Sequence, residues 1–305
     1  MSVGAHAPRT DRRGTGIALM LCAFLCFTGI DSCAKALVQT LPAFEVVFFR
    51  YLGHLAIVSA FFLPSQGFGL LKANRTKTQI ARASILMVGT ALNFFAVGYL
   101  PLAVTSAIFF LSPLMICALS VPFLGERVGP RRWTAILIGF LGVLVIVRPG
   151  GGDLHWAWLL SLGATLCASG YMMLTRVLAG EDTTETSQLY ASFIPACAML
   201  PLAIGVWVWP QGWLEITLVC LIGVFGWAGH QFATTAHRFA PASTLAPFVY
   251  TQILWMTGAG YLFFNTVPDI WVYVGAGIVI ASGLYVWLRE RQLGRTEISL
   301  QRPPQ

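Results

Sequence analysis

Long apolar runs separated by short polar gaps make up most of the chain, and their spacing predicts ten membrane-spanning helices. The runs fall near 14–38, 43–63, 80–99, 104–123 and 131–147, then near 156–179, 186–208, 213–235, 242–264 and 269–288. The hydrocarbon core of a bilayer takes roughly 20 apolar residues of helix, so runs of this length suit single crossings. Pro42, Pro130, Pro210 and Pro268 punctuate the connections, as ring-locked residues without an N–H should. Gly150, Gly151 and Gly152 mark a flexible turn at mid-chain. The gaps are too short for a soluble domain of about 50 residues or more. The expected fold class is an all-α integral membrane protein.

The pattern repeats. A shift of about 141 residues lays Cys26, Gly29, Lys35 and Leu37 on Cys167, Gly170, Arg176 and Leu178. A shift of about 137 lays Ala91, Phe95, Ala96, Ala103 and Ser106 on Ala228, Phe232, Ala233, Ala240 and Ser243. Gly142 and Arg148 match Gly283 and Arg289, again about 141 apart. The expectation is two five-helix repeats, residues 1–149 and 150–305, the second ending in a short cytoplasmic tail. Five is odd, so the second repeat enters the membrane from the opposite side. Inverted repeats of this kind let two pseudo-symmetric halves exchange inward and outward shapes around a central site.

Composition agrees with the pattern. The chain is 57% hydrophobic and 10% charged, against about 25% charged in a soluble domain. Its net charge of +7 does not point to nucleic acid, because the basic residues sit in the gaps between runs. With the N-terminus inside, the cytoplasmic segments hold Arg9, Arg12, Arg13; Lys72, Arg75, Lys77, Arg82; Arg127, Arg131, Arg132; Arg176; Arg238; and Arg289, Arg291, Arg295, Arg302. Arg148 alone lies outside, which places both termini in the cytoplasm of a bacterial inner-membrane protein. The first run is longer than the 7–15 residues of a secretory h-region and contains Asp31 and Lys35, so it reads as a retained helix. The seven cysteines all fall inside apolar runs, which argues against a disulfide framework, and no Cys/His spacing suggests zinc.

From Val104 to Gly150 the chain carries Ser112-Pro113, Gly125-Glu126-Arg127, Trp133, Gly142 and Arg148-Pro149. These features resemble the EamA-type repeat of the drug/metabolite transporter superfamily. The second copy departs from it: Phe248-Val249-Tyr250-Thr251 stands where the motif usually has a proline, and no Gly-Glu pair follows at Phe263-Phe264. The resemblance implies a ten-helix carrier of 5+5 inverted repeats. Helices one to four and six to nine would surround a cavity, with five and ten behind. It also implies export of amino acids, aromatic ones among them, or movement of other metabolites. The Asp31…Lys35 and Arg50 pattern resembles members that import vitamins or nucleoside-like metabolites, so direction stays open.

Charged or polar groups inside a span are expensive and mark candidate sites. Asp31 and Lys35 lie one turn apart, which suits a structural ion pair; alternatively they line the substrate path and hold the two ends of a zwitterion. Arg50 lies roughly 10 Å into the second span. There it either snorkels to the headgroups or binds a carboxylate through its fork. Glu45, expected at the outer interface, is its candidate partner. Asn93 and His230-Gln231 hold equivalent places in the two halves and either bond neighbouring helices or face a central cavity. Trp227, Tyr250 and Trp255 lie deep enough to line that cavity, with Tyr99 and Tyr171 as further candidates. Trp133, Trp156, Trp158, Trp207, Trp209, Trp213 and Trp271 sit near span ends and read as interfacial belts. Gly223, Gly226 and Gly229 form a small-residue track for close helix approach. Pro113 and Pro247 should kink the fourth and ninth spans. Glu126, beside Arg127 and Arg132, suits a cytoplasmic ion-pair network with a gating role.

An enzyme reading finds no H-E-x-x-H, G-x-S-x-G or P-loop pattern. A channel reading finds no filter segment or rings of like charge. The expectation is therefore a secondary transporter moving small amphipathic metabolites by alternating access, most of all amino acids moving outward. Uptake of a vitamin or nucleoside-like metabolite is the alternative. Few fixed charges reach mid-span, so a multiply charged nucleotide sugar would lack compensation, whereas a zwitterion would not. No cofactor or metal is implied. The partners are the small-molecule substrate and the lipid bilayer, not nucleic acid; a coupling ion or proton, and the oligomeric state, are left open.

Overall fold

The computed structural model describes residues 13–124, 129–148, 155–178, 181–240 and 242–300. The Gly150–Gly152 turn and the Gly125-Glu126-Arg127 loop lie outside them. Twelve helical segments are seen among the described residues: α1 Arg13–Leu37, α2 Ala43–Gln66, α3 Thr76–Tyr99, α4 Leu102–Phe109, α5 Ser112–Leu124 and α6 Pro130–Val147. Then follow α7 Ala157–Val177, α8 Thr184–Gly205, α9 Gly212–Phe239, α10 Ala242–Leu245, α11 Gln252–Phe264 and α12 Ile270–Leu300. Short 3₁₀ turns cover Gly67–Leu71 and Ala246–Thr251.

These segments realise the ten apolar runs, eight of them long and apolar enough to cross a bilayer. The chain is an all-helical, multi-pass membrane protein. Its helix ends follow local chemistry. Thr183 caps α8, its hydroxyl accepting from the Thr186 N–H at 3.2 Å. Asn265 ends α11 in the left-handed region at φ 49°, which its short polar side chain tolerates. The seventh run stops at Gly205 rather than near 208, because the Val208 N–H leaves the helix and donates to Glu45 at 3.0 Å.

The fourth and ninth runs are broken rather than merely kinked. α4 gives way to α5 across Phe110 and Leu111, and α5 begins at Ser112-Pro113. α10 passes through the 3₁₀ turn that holds Pro247 before α11 starts. Proline has no N–H to give to a preceding turn, so it suits the start of a segment better than its middle.

The spans pair across the two halves. Span one (α1) packs on span eight (α9), and span three (α3) on span six (α7). Span two (α2) packs on span seven (α8), span five (α6) on span ten (α12), and α4 of span four on α11 of span nine. Exchanging each span with the one five places on leaves this set of pairs unchanged. Spans five and ten also touch the two broken spans. Several pairs run antiparallel. Glu45 at the start of α2 meets Val208 beyond α8, while Tyr190 near the start of α8 donates to the Leu71 carbonyl beyond α2. Arg148 beyond α6 pairs with Asp269 before α12, and Ser282 donates to the Ala135 carbonyl.

Small residues set the closest approaches. A Cβ on Gly223 would lie 2.7 Å from the Gly53 Cα, and one on Gly229 would lie 2.7 Å from the Phe27 ring. Two of the three glycines of the predicted track thus meet α2 and α1 directly; at Gly226 the nearest atom is Arg50 Cγ at 3.9 Å, an ordinary contact. Gly223→Ala should therefore cost about 1–3 kcal/mol by forcing backbones apart. Gly277, with open space around its Cβ position, should gain up to about 1 kcal/mol as Gly277→Ala through lower unfolded-chain entropy. Thermal melts of the purified chain in detergent check the pair; equal midpoints for the two variants would show that this approach does not hold α2 and α9 together.

Candidate functional site

The site begins on one face of α2. Arg50 and His54 are four residues apart, so they lie on the same face one turn from each other, and both are buried, 4% and 2% exposed. Arg50 Nη2 reaches His230 Nε2 of α9 at 3.5 Å. A guanidinium can only donate, so that nitrogen of His230 is the acceptor and its ring is neutral. The His54 and His230 rings stack with centroids 5.8 Å apart. The Arg50 guanidinium also lies over the Tyr51 ring at 4.3 Å, and the Tyr51 hydroxyl is 2.8 Å from Thr90 Oγ1.

A relay of amides fixes the imidazoles. Gln188 Nε2 donates to Gln231 Oε1 at 2.7 Å, and Gln188 Oε1 lies 3.2 Å from His54 Nε2. That oxygen accepts the Nε2–H of His54 and leaves its Nδ1 without a partner. Tyr171 of α7 meets His230 edge-on at 6.3 Å and lies under the Arg82 guanidinium at 5.3 Å. Arg82 donates in turn to the Ser187 carbonyl at 2.6 Å and reaches Thr175 at 3.4 Å. On the other side of the interior, Asn93 of α3 donates to Asp31 Oδ1 of α1 at 2.8 Å. Side chains from both halves thus build one polar interior.

Of the sequence candidates, the structure brings together Arg50, Tyr171, His230 and Gln231, and it joins Asp31 to Asn93. It separates the others. Lys35 does not pair with Asp31; its Nζ donates to the carbonyls of Val97 and Leu100 at 2.8 and 2.9 Å, satisfying the end of α3. Arg50 does not snorkel, because its side chain turns inward to His230. Glu45 does not pair with Arg50; it takes the Val208 N–H instead. Trp255 is 38% exposed and Tyr99 56% exposed, the latter stacking on His155 at 4.8 Å at the start of α7. Tyr250 packs on Phe110 at 5.2 Å, between the broken spans and away from the polar cluster. Trp227 stacks on Phe61 at 5.5 Å. Among the belt tryptophans, Trp133, Trp156, Trp209, Trp213 and Trp271 are exposed, whereas Trp207 is drawn against Phe48 and Phe49 and Trp158 against a buried apolar cluster.

Sequence reasoning missed His54 and Gln188. Both are polar residues inside apolar runs, and His54 stands one helical turn after Arg50, which was the available signal.

The arrangement is that of a polar site inside apolar spans, with no metal-binding cluster among the described residues. Residues 14–148 match the model of the EamA-like transporter family. Over that first half the chain is similar to the EamA-like drug/metabolite transporters. Its relatives extend over nearly the whole length. It is 26% identical to an S-adenosylmethionine uptake transporter of Rickettsia felis, over 91% of this chain and 94% of that protein. It is 29% identical to a riboflavin transporter of Vibrio cholerae, over 92% and 96%, and 27% identical to a pseudopaline exporter of Pseudomonas aeruginosa, over 89% and 95%. A crystal structure with a TM-score of 0.65 and 18% identity, covering 92% of this chain and 99% of that one, shares the fold. The chain is a small-metabolite transporter rather than an enzyme, as the names of its family and relatives are those of transporters.

Gln188→Leu removes both ends of the amide relay. Flux of a transported solute in proteoliposomes should fall about tenfold or more, given about 0.5–1.5 kcal/mol for each lost bond plus the stranded partners. Tyr99→Phe and Trp255→Phe should transport at the wild-type rate. An unchanged Gln188→Leu flux would remove the relay from the site.

Proposed function

We propose that the chain is a secondary carrier of two inverted repeats, residues 1–149 and 150–305, moving a small amphipathic metabolite past the polar groups between them by alternating access. The observation that carries this reading is the set of span pairs, which is unchanged when the halves are exchanged, with Arg50–His230 and His54–Gln188 contacts joining one half to the other. Antiparallel pairing of span two with span seven and of span five with span ten is what a two-fold axis in the membrane plane produces.

The ends of the molecule suit such a mechanism. At one end the α2–α3 connection meets the α7–α8 connection: Arg75 pairs with Glu181 at 2.9 Å, and Asp182 accepts from the Asn74 N–H at 2.7 Å and from Gln79 Nε2 at 2.9 Å. At the other end the α8–α9 connection meets the α1–α2 connection, through Glu45 with Val208 and Trp207 with Phe48 and Phe49. Exchange of the halves turns the first set of connections into the second. Opening toward one side breaks one set while the other holds.

In this reading the first end faces the cytoplasm, as its Lys72, Arg75, Lys77 and Arg82 require, and both termini lie there, in a bacterial inner membrane. The substrate is an amino acid moving outward, as the family resemblance implies. Uptake is the second reading, and the relatives named for S-adenosylmethionine uptake favour it. The chain carries no P-loop pattern, so transport runs downhill, by exchange, or on an ion gradient.

Proteoliposomes holding the purified chain, loaded with labelled amino acids, should show saturable efflux that unlabelled amino acids inhibit. Oriented vesicles of both sidedness decide direction. Saturable flux of riboflavin with no amino-acid flux or competition would sink the amino-acid reading and leave the carrier standing.

A further inference from the structure

A guanidinium taken out of water needs a countercharge or acceptors for its N–H groups. Among the described residues Arg50 has no carboxylate within the 4.0 Å of an ion pair. Its Nη2 reaches a neutral imidazole, and its Nη1 is buried with no acceptor among the described residues. The groups around it, His54, His230, Gln188 and Tyr51, carry no negative charge.

The matching acid stands apart from it. Asp31 lies within electrostatic range of Arg50 without touching it. One of its oxygens takes the Asn93 amide; its other oxygen accepts from no described group. Lys35, one turn away, is turned to the end of α3 and does not serve it. A carboxyl group from α1 and a guanidinium from α2 therefore stand within electrostatic range of one another, each with unused capacity. A direct pair would have neutralised both.

We propose that Arg50 and Asp31 are the two poles of the substrate site, an assignment that rests on the carrier reading above. Arg50 takes an anionic group, a planar carboxylate matching its fork. Asp31, oriented by Asn93, takes an ammonium or another cationic group. The solute class that follows is net-neutral but doubly charged, with its two charges separated. His54 is a positioning residue: it is stacked on His230 and held by Gln188, and so fixes the imidazole that holds Nη2 and leaves Nη1 to the substrate. A neutral solute would leave both poles unmet, and a dianion would meet one cation while facing Asp31.

The test uses the full chain in proteoliposomes and four labelled probes: L-phenylalanine, L-phenylalaninamide, N-acetyl-L-phenylalanine and riboflavin. In the wild type, removing either charge should lower flux about 10–100-fold, the range for hydrogen bonds to charged groups. In Arg50→Gln the zwitterion and the amide should move at equal rates. In Asp31→Asn the zwitterion and the N-acetyl compound should do so. A merely structural role for either residue would lower all rates alike and keep the ratios. Ratios preserved in both variants, or wild-type flux of riboflavin alone, overturn the poles while the carrier reading survives. No flux of any probe, in a chain that also moves no other amino acid, overturns the amino-acid reading and the poles together.

Discussion

The constraint on which the rest depends is that a polar group at bilayer depth must find its partner inside the protein. Lipid offers none. Arg50 is carried into the interior by α2, and the protein meets it with His230 from α9 and the face of Tyr51. His230 is held in turn by stacking on His54, and His54 by Gln188 of α8. The links through His230 and Gln188 join the first half of the chain to the second. Close approach at Gly53 and Gly223 lets α2 and α9 come near enough for a 3.5 Å contact between long side chains. Packing and polar satisfaction thus serve one another, as they do where small residues line a membrane helix interface.

The same logic explains what the sequence revealed and what it hid. Run length and gaps set out the ten spans, because hydropathy reports where a helix can cross. It does not report where a helix breaks. Pro113 and Pro247 pointed to the right places, yet the flanking residues are equally apolar on both sides, so a kink and a break look alike in one dimension. Polarity inside apolar runs singled out Asp31, Arg50, Asn93, His230 and Gln231, which make hydrogen bonds between helices. His54 and Gln188 carry the same signal and were passed over. The aromatic residues fared differently: depth along a helix says nothing about which face a ring occupies, so Trp255 and Tyr99 are exposed while Tyr171 is in the cluster. Lys35 shows the limit of pair reasoning, since the unsatisfied end of α3, distant in sequence, outcompeted the carboxylate one turn away.

The end contacts differ in kind. One set is polar, with an exposed Arg75–Glu181 pair worth about 0–1 kcal/mol and several amide bonds of about 1 kcal/mol each. The other is largely aromatic, with the Glu45 carboxylate accepting from Val208 and Glu215 from Gln211. Sums of this size are breakable on a working timescale, and a ligand shifts such an equilibrium only by its differential affinity for the two states. Two dissimilar sets of similar modest strength suit a molecule that releases one end while holding the other.

The central claim is that the two ends open in alternation around the interior that holds Arg50 and Asp31. Pulsed electron resonance distances test it most directly, with spin labels at Lys77 and Thr184 for one end and at Gln39 and Gln211 for the other, in a chain freed of its native cysteines. As a transported solute is added, one distance should lengthen while the other shortens or holds. Both distances lengthening together, or neither responding to any transported solute, would contradict the account.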